Sequence, residues 1–139
     1  ERSDLLILPG GDTWTETIHH PLLKIAERCL REGIWVAAIC GATMGLAQTG
    51  LLNSRGHTSN DLEYLKMICP TYTGEKYYKM ESAVTDGKLI TASGIAPLEF
   101  SAHILKALDV FSPKALDAWY SLNKTSDSKY YYELMNTIQ

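Results

Sequence analysis

Apolar residues in this chain fall into short unbroken runs separated by stretches with helical spacing. Leu5-Leu6-Ile7-Leu8 is wholly apolar and is stopped by Pro9-Gly10-Gly11, and Ile34-Trp35-Val36-Ala37-Ala38-Ile39 is a second such run that ends at Cys40. Runs without polar alternation suit parallel strands buried on both faces. Between them, Leu22, Ile25, Ala26, Cys29 and Leu30 recur at helical spacing, with Pro21 in the first turn and Gly33 just past the end. The pattern predicts a short helix from Ala42 that closes at Gly50, then a loop over Ser54–Ser59 leading into a short strand. Asn60 or Asp61 caps a helix through Met67, which Pro70 stops. Met80–Thr85 and Lys88–Ala92 read as strands around Asp86-Gly87, a strong hairpin-turn pair. Helices are expected from Pro97 to about Leu108, from Pro113 with Ser112 as cap, and over Tyr130–Ile138. Strands alternating with helices predict an α/β domain, a mostly parallel sheet covered on both faces.

Composition narrows the class. The 139 residues are 45% hydrophobic, enough for one buried core over residues 1–139 and too much for disorder. A net charge of −3 with scattered Lys and Arg argues against a nucleic-acid partner. No apolar run approaches the ~18 residues of a membrane span, so no membrane partner is expected. The three cysteines stand in unrelated contexts and form neither a disulfide framework nor a metal-binding pattern. A reducing, cytoplasmic setting is the expectation. The chain opens Glu1-Arg2-Ser3-Asp4 and enters a strand almost at once, which reads as the middle of a longer protein.

The candidate chemistry lies at Ala37-Ala38-Ile39-Cys40-Gly41-Ala42-Thr43. A strand that reverses directly into a helix needs small residues two before and two after the corner, and Ala38 and Ala42 supply them. This is the steric logic of the nucleophile elbow, with Cys in place of Ser. The turn would hold the sulfur at a helix amino terminus, where unpaired N–H groups favour thiolate. The alternative is a small buried cysteine that fills a tight junction. Cys29, on a helix stripe, and Cys69, before a proline, read as packing residues. Gly10 and Gly11, directly after the first strand, let the backbone approach a ligand, and their N–H groups suit an oxyanion.

Taken together, these pieces resemble the ThiJ/PfpI family of the class I glutamine amidotransferase-like superfamily. The likeness runs through Asp4-Leu-Leu-Ile-Leu-Pro-Gly-Gly11, Val36-Ala-Ala-Ile-Cys-Gly-Ala42, Gly50-Leu-Leu-Asn53, His57-Thr-Ser-Asn60 and Asp86-Gly-Lys-Leu-Ile-Thr-Ala-Ser-Gly94, ending at Glu99-Phe100. The resemblance implies a flavodoxin-like three-layer α/β/α sandwich whose amino-terminal strands are missing from this chain. It implies a homodimer, with the missing segment expected as a separate chain, and no metal or organic cofactor. Cys40 would be the nucleophile, with the N–H groups of Gly11 and Gly41 as oxyanion donors. The implied function is hydrolase-like chemistry on an amide or reactive carbonyl of a small-molecule or peptide substrate, whether peptidase-, amidase- or glyoxal-directed. The rival reading is an oxidative-stress sensor or chaperone-like protein whose Cys40 is reversibly oxidised.

The chain departs from the family in its site. The acidic residue that contacts the family cysteine belongs to the missing strands, and the His that follows the cysteine in some members is here Gly41. The position that carries a loop His in other members is here Asn60; with Gly10 and nearby His57 it is expected to contact substrate. Gly94-Ile95-Ala96-Pro97 replaces the His-x-Glu of true glutamine amidotransferases, so glutaminase activity is not expected. His19-His20 reads as a helix entry, His103 as a helix-face pair with Glu99, and Glu99 itself as a structural contact. Trp119, Tyr120 and Tyr130-Tyr131-Tyr132 are expected to pack the last helices on the core.

Overall fold

The computed structural model of the chain describes residues 3–138; Glu1, Arg2 and Gln139 lie outside the described residues. Four strands form one sheet: β1 (Leu5–Leu8), β2 (Trp35–Ile39), β3 (Ala83–Asp86) and β4 (Leu89–Ala92), in the spatial order β1-β2-β4-β3. β1 and β4 both run parallel to β2, while β3 returns antiparallel to β4 through a two-residue turn at Gly87-Lys88, one position later than the expected Asp86-Gly87, because Asp86 still pairs with Leu89 in the ladder. The six helices are α1 (His20–Arg31), α2 (Ala42–Gln48), α3 (Leu62–Ile68), α4 (Pro97–Ala107), α5 (Pro113–Thr125) and α6 (Lys129–Thr137). Asp61 caps α3 by accepting the Tyr64 N–H at 2.8 Å, and Ser112 caps α5 from the Ala115 N–H at 3.2 Å.

Strand alternation assigns the two faces. In β2, Val36 and Ala38 join Leu8 and Leu89 in a core with Leu23, Ala26, Leu46 and Leu65 of α1, α2 and α3. Ala37 points the other way, with Ile90 and Ala92, onto Phe100 and Ile104 of α4. The sheet is therefore covered by helices on both sides, and β2 is buried on both faces as its sequence predicts. β1 is not. It is an edge strand, and Ile7 is 50% exposed.

Three local expectations change. Leu23, Ala26 and Cys29 are the buried residues of α1, whereas Ile25 is 42% exposed. At roughly 100° per residue, Ile25 falls at the margin of the stripe centred on Ala26. The segment after Ser54 makes only an isolated bridge, His57 with Tyr78, because both ladder sides are short loop pieces. The last helix does not reach the sheet core. α6 packs on α5, and Tyr131 and Tyr132 stay largely exposed, stacked edge-on 5.6 Å apart.

The register of α1 has a measurable consequence. Leu23→Ala should cost about 2–5 kcal/mol by denaturant unfolding, the range for emptying a core leucine site. Ile25→Ala should cost well under half of that. Equal losses would mean that Ile25 shares the buried stripe.

Candidate active site

β1, β2 and β4 are parallel neighbours in register, Leu8 opposite Ala38 and Ile39 opposite Ala92. Their carboxyl ends therefore finish level, and the turns that follow stand side by side: Pro9-Gly10-Gly11, Cys40-Gly41 and Ser93-Gly94. Cys40 is at the centre. It adopts φ +60°, a left-handed conformation that a non-glycine residue holds at a cost of about 1–3 kcal/mol. The turn is fixed on both sides. Its N–H donates to the Ala92 carbonyl at 3.0 Å on the strand side. Its carbonyl accepts the Thr43 N–H at 3.1 Å and the Thr43 hydroxyl at 2.6 Å on the helix side.

The flanking glycines are there for space. A Cβ at Gly10 would stand 3.0 Å from the Cys40 Cβ, and one at Gly94 would stand 2.8 Å from the sulfur. A Cβ at Gly41 would run into the Gly11 carbonyl oxygen, a backbone atom that has little freedom to retreat. Position 41 therefore has no room for the histidine that follows the cysteine in other ThiJ/PfpI-like sequences. The Pro9-Gly10-Gly11 turn is itself anchored, since the Trp14 indole N–H donates to the Pro9 carbonyl at 2.8 Å. Among the described residues, the N–H groups of Gly11 and Gly41 have no protein acceptor.

Asn60 comes to the sulfur from the loop before α3. Its Oδ1 accepts the Gly94 N–H at 2.8 Å. A backbone N–H can only donate, so the other end of the amide, Nδ2, is the donor that faces Cys40 Sγ at 3.4 Å. Gly10, Gly11, Cys40, Gly41 and Asn60 are thus brought together. Gly94 joins them unanticipated; the signal was available in its place after β4, the other parallel neighbour of β2. Thr43 was also missed, and no periodicity in the sequence marks it.

His57 is not with them, and the expectation of a substrate contact is corrected. Its ring is fully buried, with Nδ1 2.6 Å from the Arg55 carbonyl and Nε2 2.6 Å from the Tyr72 hydroxyl. The carbonyl can only accept, so Nδ1 carries the proton and Nε2 takes the Tyr72 O–H. Burial lowers the His57 pKa and pushes Tyr72 up to about 12, which keeps both groups neutral. Two other histidines bond nearby hydroxyls. His19 pairs with the Thr13 hydroxyl at 2.8 Å, and His103 with the Thr85 hydroxyl at 2.7 Å. The expected His103–Glu99 pair is absent because Glu99 turns to α5, accepting Tyr120 Oη–H at 3.1 Å and Lys124 Nζ at 2.8 Å. Lys124 holds the Glu99 carboxyl below its ordinary pKa, consistent with a structural contact.

The sequence pattern of the DJ-1/PfpI family matches residues 1–107. The chain belongs to the DJ-1/PfpI family. It is 60% identical over 135 residues to a protein of Bacillus subtilis named uncharacterized protease YoaZ, covering 97% of this chain and 64% of that protein. YdeA of the same organism, also named an uncharacterized protease, is 36% identical over 87% of this chain and 60% of its own length. A ThiJ/PfpI family structure from Bacillus anthracis superposes with a TM-score of 0.94 at 57% identity, over 96% of this chain and 63% of that one. The DJ-1 superfamily protein Atu0886 of Agrobacterium tumefaciens gives a TM-score of 0.77 at 36% identity, over 88% and 65% of the two chains. The chain thus spans less than two thirds of the length of these relatives. No helix of the described residues is long and apolar enough to cross a membrane, and they contain no cluster of metal-ligating side chains.

Two outcomes follow from this geometry. Gly41→Ala should lower stability by about 1–3 kcal/mol, the range for overpacking, because the backbone of Gly11 must move. A variant that melts with the parent would contradict the close approach. Separately, burial holds His57 and His103 below their ordinary pKa of 6.5, with Lys106 adding to the effect at His103. The unfolded chain therefore takes up protons first as pH falls, so stability is full above about pH 6.5 and declines below it. The urea midpoint should be lower at pH 5.5 than at pH 7.5, with a smaller difference in His103→Gln. A flat profile over that interval would remove the proposed linkage.

Proposed function

We propose that this domain performs cysteine-dependent chemistry on a carbonyl carbon, with Cys40 as nucleophile and the N–H groups of Gly11 and Gly41 receiving the oxyanion. The observation that carries this reading is the strained turn at Cys40, held at φ +60° beside Gly11 and Gly41, whose N–H groups have no protein acceptor among the described residues. Strain of this kind gathers at functional sites because it aims a reactive group that relaxed backbone would bury. In the attack, the sulfur lone pair forms the S–C bond while the C=O π pair moves to oxygen, and two N–H donors stabilise that charge.

The surroundings of the sulfur favour a reactive carbonyl, such as an α-oxoaldehyde, over an amide. Among the described residues, the hydrogen bond to Sγ comes from the Asn60 amide, and the backbone of Gly10 and Gly94 packs beside it. An aldehyde adduct takes its proton from water, as a hemithioacetal. An amide must also expel an amine, which needs a proton donor that Asn60 does not supply. A second reading has support of its own. A sulfur that accepts an N–H and, among the described residues, hydrogen-bonds to no basic side chain also suits oxidation by peroxide to the sulfenic acid, with the domain acting as a sensor.

The same proposal treats the chain as the carboxyl-terminal portion of a homodimeric protein in which a further strand completes the sheet beside β1. The support is an edge strand of four apolar residues with Ile7 half exposed.

Turnover separates the two chemical readings. A Cys40-dependent enzyme processes an α-oxoaldehyde for many cycles, and Cys40→Ser reduces the rate to background while the fold remains. A sensor consumes peroxide stoichiometrically and shows no such turnover. Undiminished turnover in Cys40→Ser would move the chemistry away from this turn.

A further inference from the structure

We infer that Tyr78 is a positioning residue for Cys40, acting through Ser59 on the Asn60 amide that faces the sulfur. The inference rests on Cys40 being the reactive group, but not on which electrophile it meets.

The Asn60 side chain is exposed, yet the backbone leading to it is held on every side. Ser59 is 4% exposed, and its hydroxyl lies 3.2 Å from the Asp61 carbonyl, which can only accept. The single Ser59 proton is therefore committed to Asp61, and the bond ties together the two residues that bracket Asn60. Tyr78 Oη stands 3.1 Å from Ser59 Oγ and 3.4 Å from the Ser59 carbonyl, so the single phenol proton is shared between the two acceptors. One hydroxyl thus pins the residue before Asn60 from outside the loop. Upstream, Thr58 is fastened by its N–H to Thr91 Oγ1 at 3.0 Å and by its hydroxyl to the Glu81 carbonyl at 2.9 Å.

Tyr78 is held in turn by the buried histidine. Its ring meets the His57 ring edge-on, with centroids 5.6 Å apart and an interplanar angle of 89°. The Lys79 N–H donates to the His57 carbonyl at 2.8 Å, which clamps the two segments together. His57 therefore acts at a distance from the sulfur, through Tyr78, Ser59 and Asn60, as the wall against which Tyr78 is set. A contact of 3.4 Å between Nδ2 and Sγ is an ordinary length for a sulfur acceptor, and its strength depends on the amide staying aimed at the sulfur. A small drift of the loop therefore weakens it sharply, and a bond that fixes the loop has leverage on the thiolate.

The test reads Cys40 reactivity and needs no substrate. Iodoacetamide labelling of Cys40, followed by mass spectrometry at pH 7.5, gives a rate for the parent, Tyr78→Phe, Asn60→Ala and the double variant. Tyr78→Phe should slow labelling about three- to tenfold, the worth of one hydrogen bond. Asn60→Ala should slow it at least as much, and the double variant should be no slower than Asn60→Ala alone. Ser59→Ala should repeat the Tyr78→Phe effect, and Ser59→Thr, which keeps the hydroxyl, should restore the rate. This pair also serves if Tyr78→Phe fails to fold. An unchanged rate in Tyr78→Phe, or an equal slowing with and without Asn60, would overturn the inference. If labelling follows the expected cycle while no carbonyl compound is turned over, the proposed reaction fails and this inference stands.

Discussion

Cys40 holds a backbone conformation that an isolated chain would rarely adopt, and much of the surrounding structure bears on keeping it there. At φ +60° the corner residue costs about 1–3 kcal/mol. The opposing interactions are local and on both sides: Ala92 on the strand, Thr43 on the helix, and glycine backbone packed against the cysteine from β1 and β4. The level carboxyl ends of three parallel strands make this possible, because they bring three turns into contact at one height. The parallel sheet is thus a precondition for the site as well as a source of core.

The steric demand at this corner also sets its chemistry. Where Gly11 packs on Gly41, no side chain fits after the cysteine, so a proton-transferring neighbour at that position is excluded. The donor that does reach the sulfur is a neutral amide on a separate loop, oriented by the Gly94 N–H. An amide donor stabilises negative charge on sulfur without taking up a proton. On the proposed reading of Cys40, reactivity would depend on geometry more than on a titrating partner, and loop rigidity would become a chemical variable.

The sequence was legible where steric rules are strict. The elbow at Cys40, the glycine turn after β1 and the Ser112 cap follow from local backbone requirements and formed where those rules put them, while the hairpin formed with its turn one residue later than Asp86-Gly87. What was not legible depends on distant partners. Nothing local tells that His57 bonds Tyr72 rather than facing solvent, or that Glu99 prefers α5 to His103 one turn away. Ile7 shows the same limit for strands, since an apolar run predicts burial but not whether a neighbour lies on each side.

The buried histidine shows how a polar core group can matter to a site it does not touch. A neutral imidazole with both nitrogens bonded is rigid in a way that a leucine of similar size is not, because its hydrogen bonds fix the ring orientation as well as its position. Tyr78 packs edge-on against that ring and carries its orientation to Ser59. The cost of burying His57 is confined to low pH, where the folded state resists protonation. Above that range the imidazole is neutral in both states, and the frame that holds Asn60 carries no charge penalty.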